Sequence, residues 1–440
     1  MTILHDLHTP RPVAIDLFAG AGGLSLGLEM AGFDVVSAVE YDPVHAATHL
    51  FNFPQTDMLC RDVSRITGAD LRSSAEKGWR ALHGDAPRWN GDVDLIAGGP
   101  SCQGFSVMGR RDADDERNLL IQQFVRLVLE VKPRAFILEN VPGILAPQFR
   151  SILQQATDTL RRGGYDLNDY YQPLSATDFG VPQRRKRVFI VGVLDGVAPK
   201  HPRATVFSET PVQEALAGLP AILEQLVTNG DEATLQAEEW DTYESASNSY
   251  LDMLQAIPSR ARDEILNTSR TLSGYLATQH KAASVARFEL VPHGGTEPVS
   301  RAWRLSNQAP SRTLRAGTGR ERGAFSASRP LHPTEARVIT VREAARLHSF
   351  PDWFRFHATN WHAHRQIGNS VPPLLAGAVA SAIIGTLGAR PGMQHSRQHG
   401  NGPLSLLSLN PTLAGRLFDV SASEVPVPRT RVESVARAPQ

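Results

Sequence analysis

What most constrains this 440-residue chain is a recurrence: short apolar runs with little polar alternation, each followed by a segment of helical spacing. Residues 12–18, Pro-Val-Ala-Ile-Asp-Leu-Phe, stop in glycines, and Leu24 and Leu28 then recur at i,i+4 over 23–31. Residues 34–40 read as a second strand, and 42–52 as a helix opened by an acidic cap, Asp42, with Pro43 at its first position. Residues 93–97, broken only by Asp94, and 135–138 are further apolar runs bracketing a helix expected over 118–131; 187–193 read as a later strand of the same sheet. A strand that is apolar on both faces is covered on both, and parallel strands need long crossovers. The pattern therefore implies an α/β fold with a mostly parallel sheet between helices.

The length is roughly two to three times the commonest domain size, which implies one large core and a smaller lobe. The character changes after Gly196. Residues 200–300 mix helix-like pieces at 212–219 and 249–257 with an acidic stretch (Asp231, Glu232, Glu238, Glu239, Asp241, Glu244) read as a solvated face. Over 301–329 the balance reverses, with Arg301, Arg304, Arg312, Arg315, Arg320, Arg322 and Arg329 against a single Glu321. That stretch is the phosphate-facing candidate of a chain whose 45 basic and 45 acidic residues cancel, which excludes a histone-like or polyacidic protein. Beyond about residue 390 the chain is rich in Pro, Ser, Arg and Gly and has no clear periodicity. Two cysteines build no disulfide scaffold, and the N-terminus lacks a charged-then-apolar signal, so a reducing cytosol is expected. Residues 371–389 carry no charge and approach a bilayer span, but their Ala and Gly content and two leading prolines fit a buried helix on a sheet; no membrane is expected.

Chemistry concentrates where strands end. Asp16-Leu17-Phe18-Ala19-Gly20-Ala21-Gly22-Gly23 follows a strand and opens a helix, and Glu40 ends the next strand about twenty residues on, suited to two ribose hydroxyls. The glycine frame breaks at Ser25, so the loop alone leaves nicotinamide and methionine-derived nucleoside cofactors open. Cys102 sits in Gly98-Gly99-Pro100-Ser101-Cys102-Gln103-Gly104-Phe105-Ser106, just past an apolar strand, where a nucleophile is a better reading than the small buried hydrophobe that suits Cys60. Glu139-Asn140-Val141-Pro142 ends the neighbouring strand. In Gln183-Arg184-Arg185-Lys186-Arg187, strand alternation turns Arg185 and Arg187 the same way, as a fork pair for phosphate or a carbonyl oxygen. His357, His362 and His364 lack a cysteine or carboxylate at ligand spacing, so no metal is expected.

In their order, DLFAGAGG, Glu40, PSCQGFS, ENVPG, GVPQRRKR and QIGNSVPP resemble the motif blocks of the cytosine-C5 DNA methyltransferase family, with TVREAARL and SFPD near the C-terminus. The likeness implies a Rossmann-like, S-adenosylmethionine-binding catalytic domain over 1–195, a smaller, variable target-recognition domain over 196–357, a return to the catalytic domain over 358–390 and a tail over 391–440. It implies Cys102 as the nucleophile that adds to C6 of a flipped-out cytosine, Glu139 as the acid at N3, and Arg185 and Arg187 at the target cytosine or its phosphates. Phe18, Gly20, Gly22, Gly23, Glu40, Asp62, Val63, Pro100 and Asn369 are the implied cofactor residues, and residues 104–118 the implied lid, with Arg110 and Arg111. The chain departs from the family's frequent Pro before the nucleophile, carrying Ser101 there. The implied partner is double-stranded DNA, bound by a monomer in the bacterial cytosol, either within a restriction-modification system, whose cognate endonuclease would not be physically required, or as an orphan methylase. A tRNA methyltransferase of the same family would carry a Cys-Phe-Thr tripeptide, and an idle DNA-binding relative would lose PSCQ or ENV; the sequence has neither feature. The broken glycine frame disfavours an NAD-dependent oxidoreductase.

Overall fold

A computed structural model describes residues 11–84, 88–100, 119–168, 172–221, 227–229, 232–257, 270–317, 329–389 and 401–421. The central sheet is built from β1 (Val13–Leu17), β2 (Asp34–Glu40), β3 (Asp57–Cys60), β4 (Leu95–Gly98), β5 (Ala135–Asn140), β6 (Tyr165–Leu167) and β9 (Lys186–Leu194), in the order β3-β2-β1-β4-β5-β9-β6. Strands β1 to β5 pair in parallel; β9 runs antiparallel to both β5 and β6. Apolar content foretells that 187–193 is a buried strand but carries no information on its direction, which is set by the short connection through β7 (Leu174–Ser175) and β8 (Gln183–Arg184).

Alternate residues of one strand serve opposite layers. Val13, Ile15 and Leu17 pack with Trp79 of α3 (Gly68–His83), Phe124 of α4 (Leu119–Val131) and Leu160 of α5 (Arg150–Arg162). Ala14 faces the other way, to Leu24 and Leu28 of α1 (Gly23–Ala31) and to Leu375, Val379 and Ile383 of a late helix, Pro373–Thr386. The local signals work as expected: Asp42 caps α2 (Pro43–Asn52) by accepting from Val44 N, and Thr67 with Asp70 forms a capping box on α3. The charge-free stretch becomes the Pro373–Thr386 helix, its apolar residues buried against α1, where a Cβ on Gly27 would collide with Ala376.

The later part of the chain, the second lobe, carries a small antiparallel sheet, β10 (Val227–Asn229), β11 (Glu232–Thr234) and β12 (Thr271–Ser273), and an aromatic core with Tyr250, Phe350, Phe354 and Phe356 that is continuous with Leu26 and Phe53 of the first. Buried ion pairs hold it: Arg337 with Glu343 at 2.7 Å, Arg346 with Asp352 at 2.6 Å, and Arg355 with Glu232. Two expectations are corrected here. Glu232 of the acidic stretch is a partner of buried Arg355, not part of a solvated face, whereas Glu238, Asp241 and Glu244 are exposed. Of the arginine run, Arg304 is buried and donates to the carbonyls of Phe288, Val291 and His332, so its charge serves the backbone. Arg301, Arg312 and Arg315 are exposed; Arg320 and Arg322 lie outside the described residues.

Candidate active site

Five parallel strands end along one edge: in register, Leu17 pairs with Val39 and Gly98, Gly98 with Leu138, and Glu40 with Cys60. The order reverses between β1 and β4, the switch point where an open parallel sheet leaves a crevice. The glycine loop beside it turns through left-handed backbone at Phe18, Gly20 and Gly22, with φ of 60°, 57° and 105°. Phe18 is a non-glycine residue held there, a conformation that costs about 1–3 kcal/mol and persists where surroundings impose it. Gly22 is fixed by crowding, since a Cβ would strike the Phe53 ring, and a Cβ on Gly23 would lie 2.6 Å from Val371 O. That contact carries the turn after Asn369 onto the start of α1, with Asn369 itself exposed beside it.

Glu40 Oε2 accepts from Gly20 N at 2.8 Å and Oε1 from Asp42 N at 2.9 Å, so one carboxylate clasps the glycine loop and the start of α2. Burial raises its pKa, with His45 opposing. Each oxygen keeps a second lone pair, which fits a pair of ribose hydroxyls. Asp62 Oδ1 accepts from Ser64 N and Ser64 Oγ, and Asp62 lines a pocket with Tyr41, Cys60, Arg61 and Arg65. The side chain of Val63, the residue expected beside Asp62 at the cofactor, packs into the core under the sheet, which leaves its backbone as the part that could meet a ligand. The Cys60 thiol is pushed up to about 12 by burial, with Glu40 and Asp42 adding to the effect, and is inert at neutral pH.

Glu139 is buried at the end of β5, and its Oε1 lies 2.8 Å from Arg187 Nε. Burial raises its carboxyl pKa, while Arg187 and then Arg185 pull it back. Gly99 comes up against the other oxygen: a Cβ there would lie 2.6 Å from Glu139 Oε2. Asn140 Nδ2 donates to Pro100 O at 3.3 Å, which ties the end of β5 to the residue that leads towards Cys102. Cys102 itself, Ser106 and the expected lid fall in 101–118, outside the described residues.

Arg185 and Arg187 do not form the expected fork pair. Arg185 falls between β8 and β9, off the regular alternation, and its guanidinium turns inward to the carbonyls of Leu314, Gly368 and Ser370 at 2.9–3.0 Å. It locks β9 to the second lobe and to the turn around Asn369. Arg187 alone stays at Glu139.

Sequence reading missed three participants. Gly99 and Asn140 sit inside quoted motifs, yet their importance is a distance across strands that no spacing reveals. The third is a buried relay in which Ser25 Oγ donates to Asp16 Oδ2 at 2.6 Å and lies 2.9 Å from His49 Nε2. Burial raises the Asp16 pKa to about 7. Asp16 stands in the quoted glycine-loop motif with no role of its own, and His49 inside a run that read as helix interior, so nothing in the spacing joins them.

Comparison with known proteins gives the family. Residues 13–385 match the family model for C-5 cytosine-specific DNA methylase. The type II methyltransferase M.XorII of Xanthomonas oryzae pv. oryzae is 43% identical over 429 residues, covering 94% of each chain. M.DdeI of Desulfomicrobium norvegicum is 32% identical over 400 residues, covering 84% of this chain and 88% of its own. Among solved structures, a DNA modification methyltransferase encoded within an E. coli prophage superposes with a TM-score of 0.70 at 34% identity, covering 86% of this chain and 99% of that one. The chain therefore belongs to the C-5 cytosine-specific DNA methylase family and is a DNA cytosine methyltransferase of the type II restriction-modification kind.

Proposed function

We propose that the protein methylates C5 of a cytosine flipped out of a specific duplex sequence, with S-adenosylmethionine as donor and a transient bond from Cys102 to C6. The observation that carries this reading is the approach of Gly99 and Pro100, the lead-in to Cys102, to Glu139 and Asn140 at one sheet edge. Cytosine C5 is a weak nucleophile. Addition of the Cys102 thiolate at C6 makes C5 enamine-like and pushes electron density towards N3, where the Glu139 carboxylic acid gives up its proton. Burial of Glu139 raises its pKa and so favours the acid form, against the pull of Arg187, which orients the carboxyl. S-adenosylmethionine supplies an electrophilic methyl group for C5. Loss of the C5 proton then restores the C5–C6 double bond and expels the Cys102 thiolate.

The residues present fit such a donor: Glu40 for the ribose, Asp62 with Val63 for the adenine, Phe18 to stack on or edge that ring, Gly20, Gly22 and Gly23 for close backbone approach, and Pro100 and Asn369 as supporting cofactor positions. Arg185 acts as a positioning residue, because its donors are engaged by backbone carbonyls. Exposed Arg301, Arg312 and Arg315 serve the duplex, on which the protein works as a monomer and needs no cognate endonuclease at its side. The test uses duplex DNA containing 5-fluorocytosine, whose C5 cannot release its substituent as a proton. A covalent complex is expected with the natural chain and none with Cys102→Ala, and bisulfite sequencing of DNA from expressing cells gives the target. Full turnover by Cys102→Ala, or methylation of an exocyclic amine, would overturn the reading.

A further inference from the structure

Residues 401–421 lie beyond the span matched by the family model, yet they are bound firmly to the catalytic half. Gly402 N donates to Phe51 O of α2 at 2.8 Å, and a Cβ on Gly402 would lie 3.1 Å from Phe51 Cα. Leu406 and Leu407 bury against Ala47 and Phe51. Leu407 O accepts from Ala358 N at 2.8 Å, and Leu409 O lies 3.1 Å from His357 Nε2. The following short helix, Pro411–Leu417, is capped by Asn410, whose Oδ1 accepts from Leu413 N at 2.9 Å.

The end of that helix aims the chain. Asp419 takes a left-handed φ of 53°, Val420 N donates to Gly415 O at 2.8 Å and Asp419 N to Arg416 O at 3.4 Å. This is a Schellman turn, with an aspartate where glycine is the usual choice. It brings Val420 to the pocket formed by Tyr41, Cys60, Arg61, Asp62 and Arg65. Helix α2, to which the segment is bound, begins two residues after Tyr41, so strap and pocket share one support.

We propose that residues 401–421 form a strap that walls the adenine end of the cofactor site, with Val420 as an apolar contact that excludes water from the bound ring and sets cofactor affinity. The inference rests on the reading of the Asp62 pocket as the adenine site. An aromatic base gains from an apolar wall in proportion to the area it hides from water, and β3 with its following turn offers mainly polar and charged groups there.

The test is calorimetric titration of the full chain with S-adenosylhomocysteine, which needs neither DNA nor turnover, alongside hydrogen exchange of peptides covering 411–421. Val420→Ala is expected to weaken binding about three- to tenfold, as loss of two methyl groups against an apolar surface implies. Val420→Lys, placed beside Arg61 and Arg65, weakens it further, and bound ligand slows exchange over 411–421 in the natural chain. Asp62→Ala separates the two levels of the argument. Lost binding in Asp62→Ala with natural affinity in both Val420 variants and ligand-insensitive exchange would overturn the strap alone. Unchanged binding in Asp62→Ala as well would overturn the adenine-site reading beneath it.

Discussion

Gly99 and Glu139 touch across adjacent strand ends so closely that a single methyl group on Gly99 would stand 2.6 Å from Glu139 Oε2. The carboxyl has little room to retreat, because it is buried and its other oxygen is held by Arg187 at 2.8 Å. Gly99→Ala must therefore displace either the acid or the loop leading to Cys102. A misplacement of about 1 Å costs on the order of 10²-fold in rate, so kcat is expected to fall by about that factor. Steady-state kinetics with cofactor and DNA saturating checks this, and a rate within twofold of the natural chain would show that the contact carries no catalytic geometry.

Glu139→Gln removes the proton donor while keeping shape, and general acid catalysis is typically worth about 10²–10⁴-fold. The pH profile is more telling than the magnitude. Burial raises the Glu139 pKa, so its protonated, donating form is lost as pH rises through that folded-state value. The Cys102 thiolate fraction rises with pH, which gives the opposite limb. The natural chain should show both limbs in kcat against pH, and Glu139→Gln only the ascending one. A descending limb preserved in Glu139→Gln would assign that limb to another group.

Much of this was legible beforehand for a definite reason. Strands β1, β2, β4 and β5 announce themselves because burial on both faces forces mostly apolar runs with little polar alternation, and the ends of such strands are where parallel sheets place their chemistry. Glu40 and Glu139 were singled out for that reason. The direction of β9 was not legible, because it follows from the connection through β7 and β8, nor was the inward turn of Arg185, because the break between β8 and β9 interrupts the alternation that the sequence implies. Likewise Arg304 and Arg301 look alike in a run of arginines, and only the carbonyls of Phe288, Val291 and His332 distinguish the structural one.

Arg185 gives a stability prediction. Its guanidinium is fully buried and donates to three carbonyls on two separate segments, Leu314 on one and Gly368 with Ser370 on the other. A lysine keeps the charge but cannot present a planar fork, and leaves at least one buried carbonyl without a donor. Each such group costs about 1–3 kcal/mol, so Arg185→Lys is expected to lower unfolding free energy by about 2–4 kcal/mol in urea titrations. Glu139 keeps its Arg187 partner in this variant, so activity at low temperature should fall less than in Gly99→Ala. A loss below about 0.5 kcal/mol, the range of ordinary surface substitutions, would show that the clamp is dispensable.

Asp16 gives a prediction with a definite sign. Its carboxyl is fully buried, takes one hydrogen bond from Ser25 at 2.6 Å, and is raised from 3.8 to about 7, chiefly by burial. The folded state therefore binds a proton that the unfolded chain has already released between about pH 4 and pH 7. The stability this confers is fully present below the unfolded value and is lost as pH rises through the folded one. Asp16→Asn cannot titrate, so urea titrations from pH 5 to pH 8 should show the natural chain losing stability relative to Asp16→Asn as pH rises, by a few kcal/mol at about 1.4 kcal/mol per unit. The groups that oppose or assist are fixed in place, with Glu40 raising the Asp16 pKa and Ser25 lowering it. Ser25→Ala removes the donor that favours the charged form, and should therefore move the decline to higher pH. Parallel stability curves for the natural chain and Asp16→Asn would mean that Asp16 is ionised throughout, with the relay through Ser25 and His49 compensating its burial.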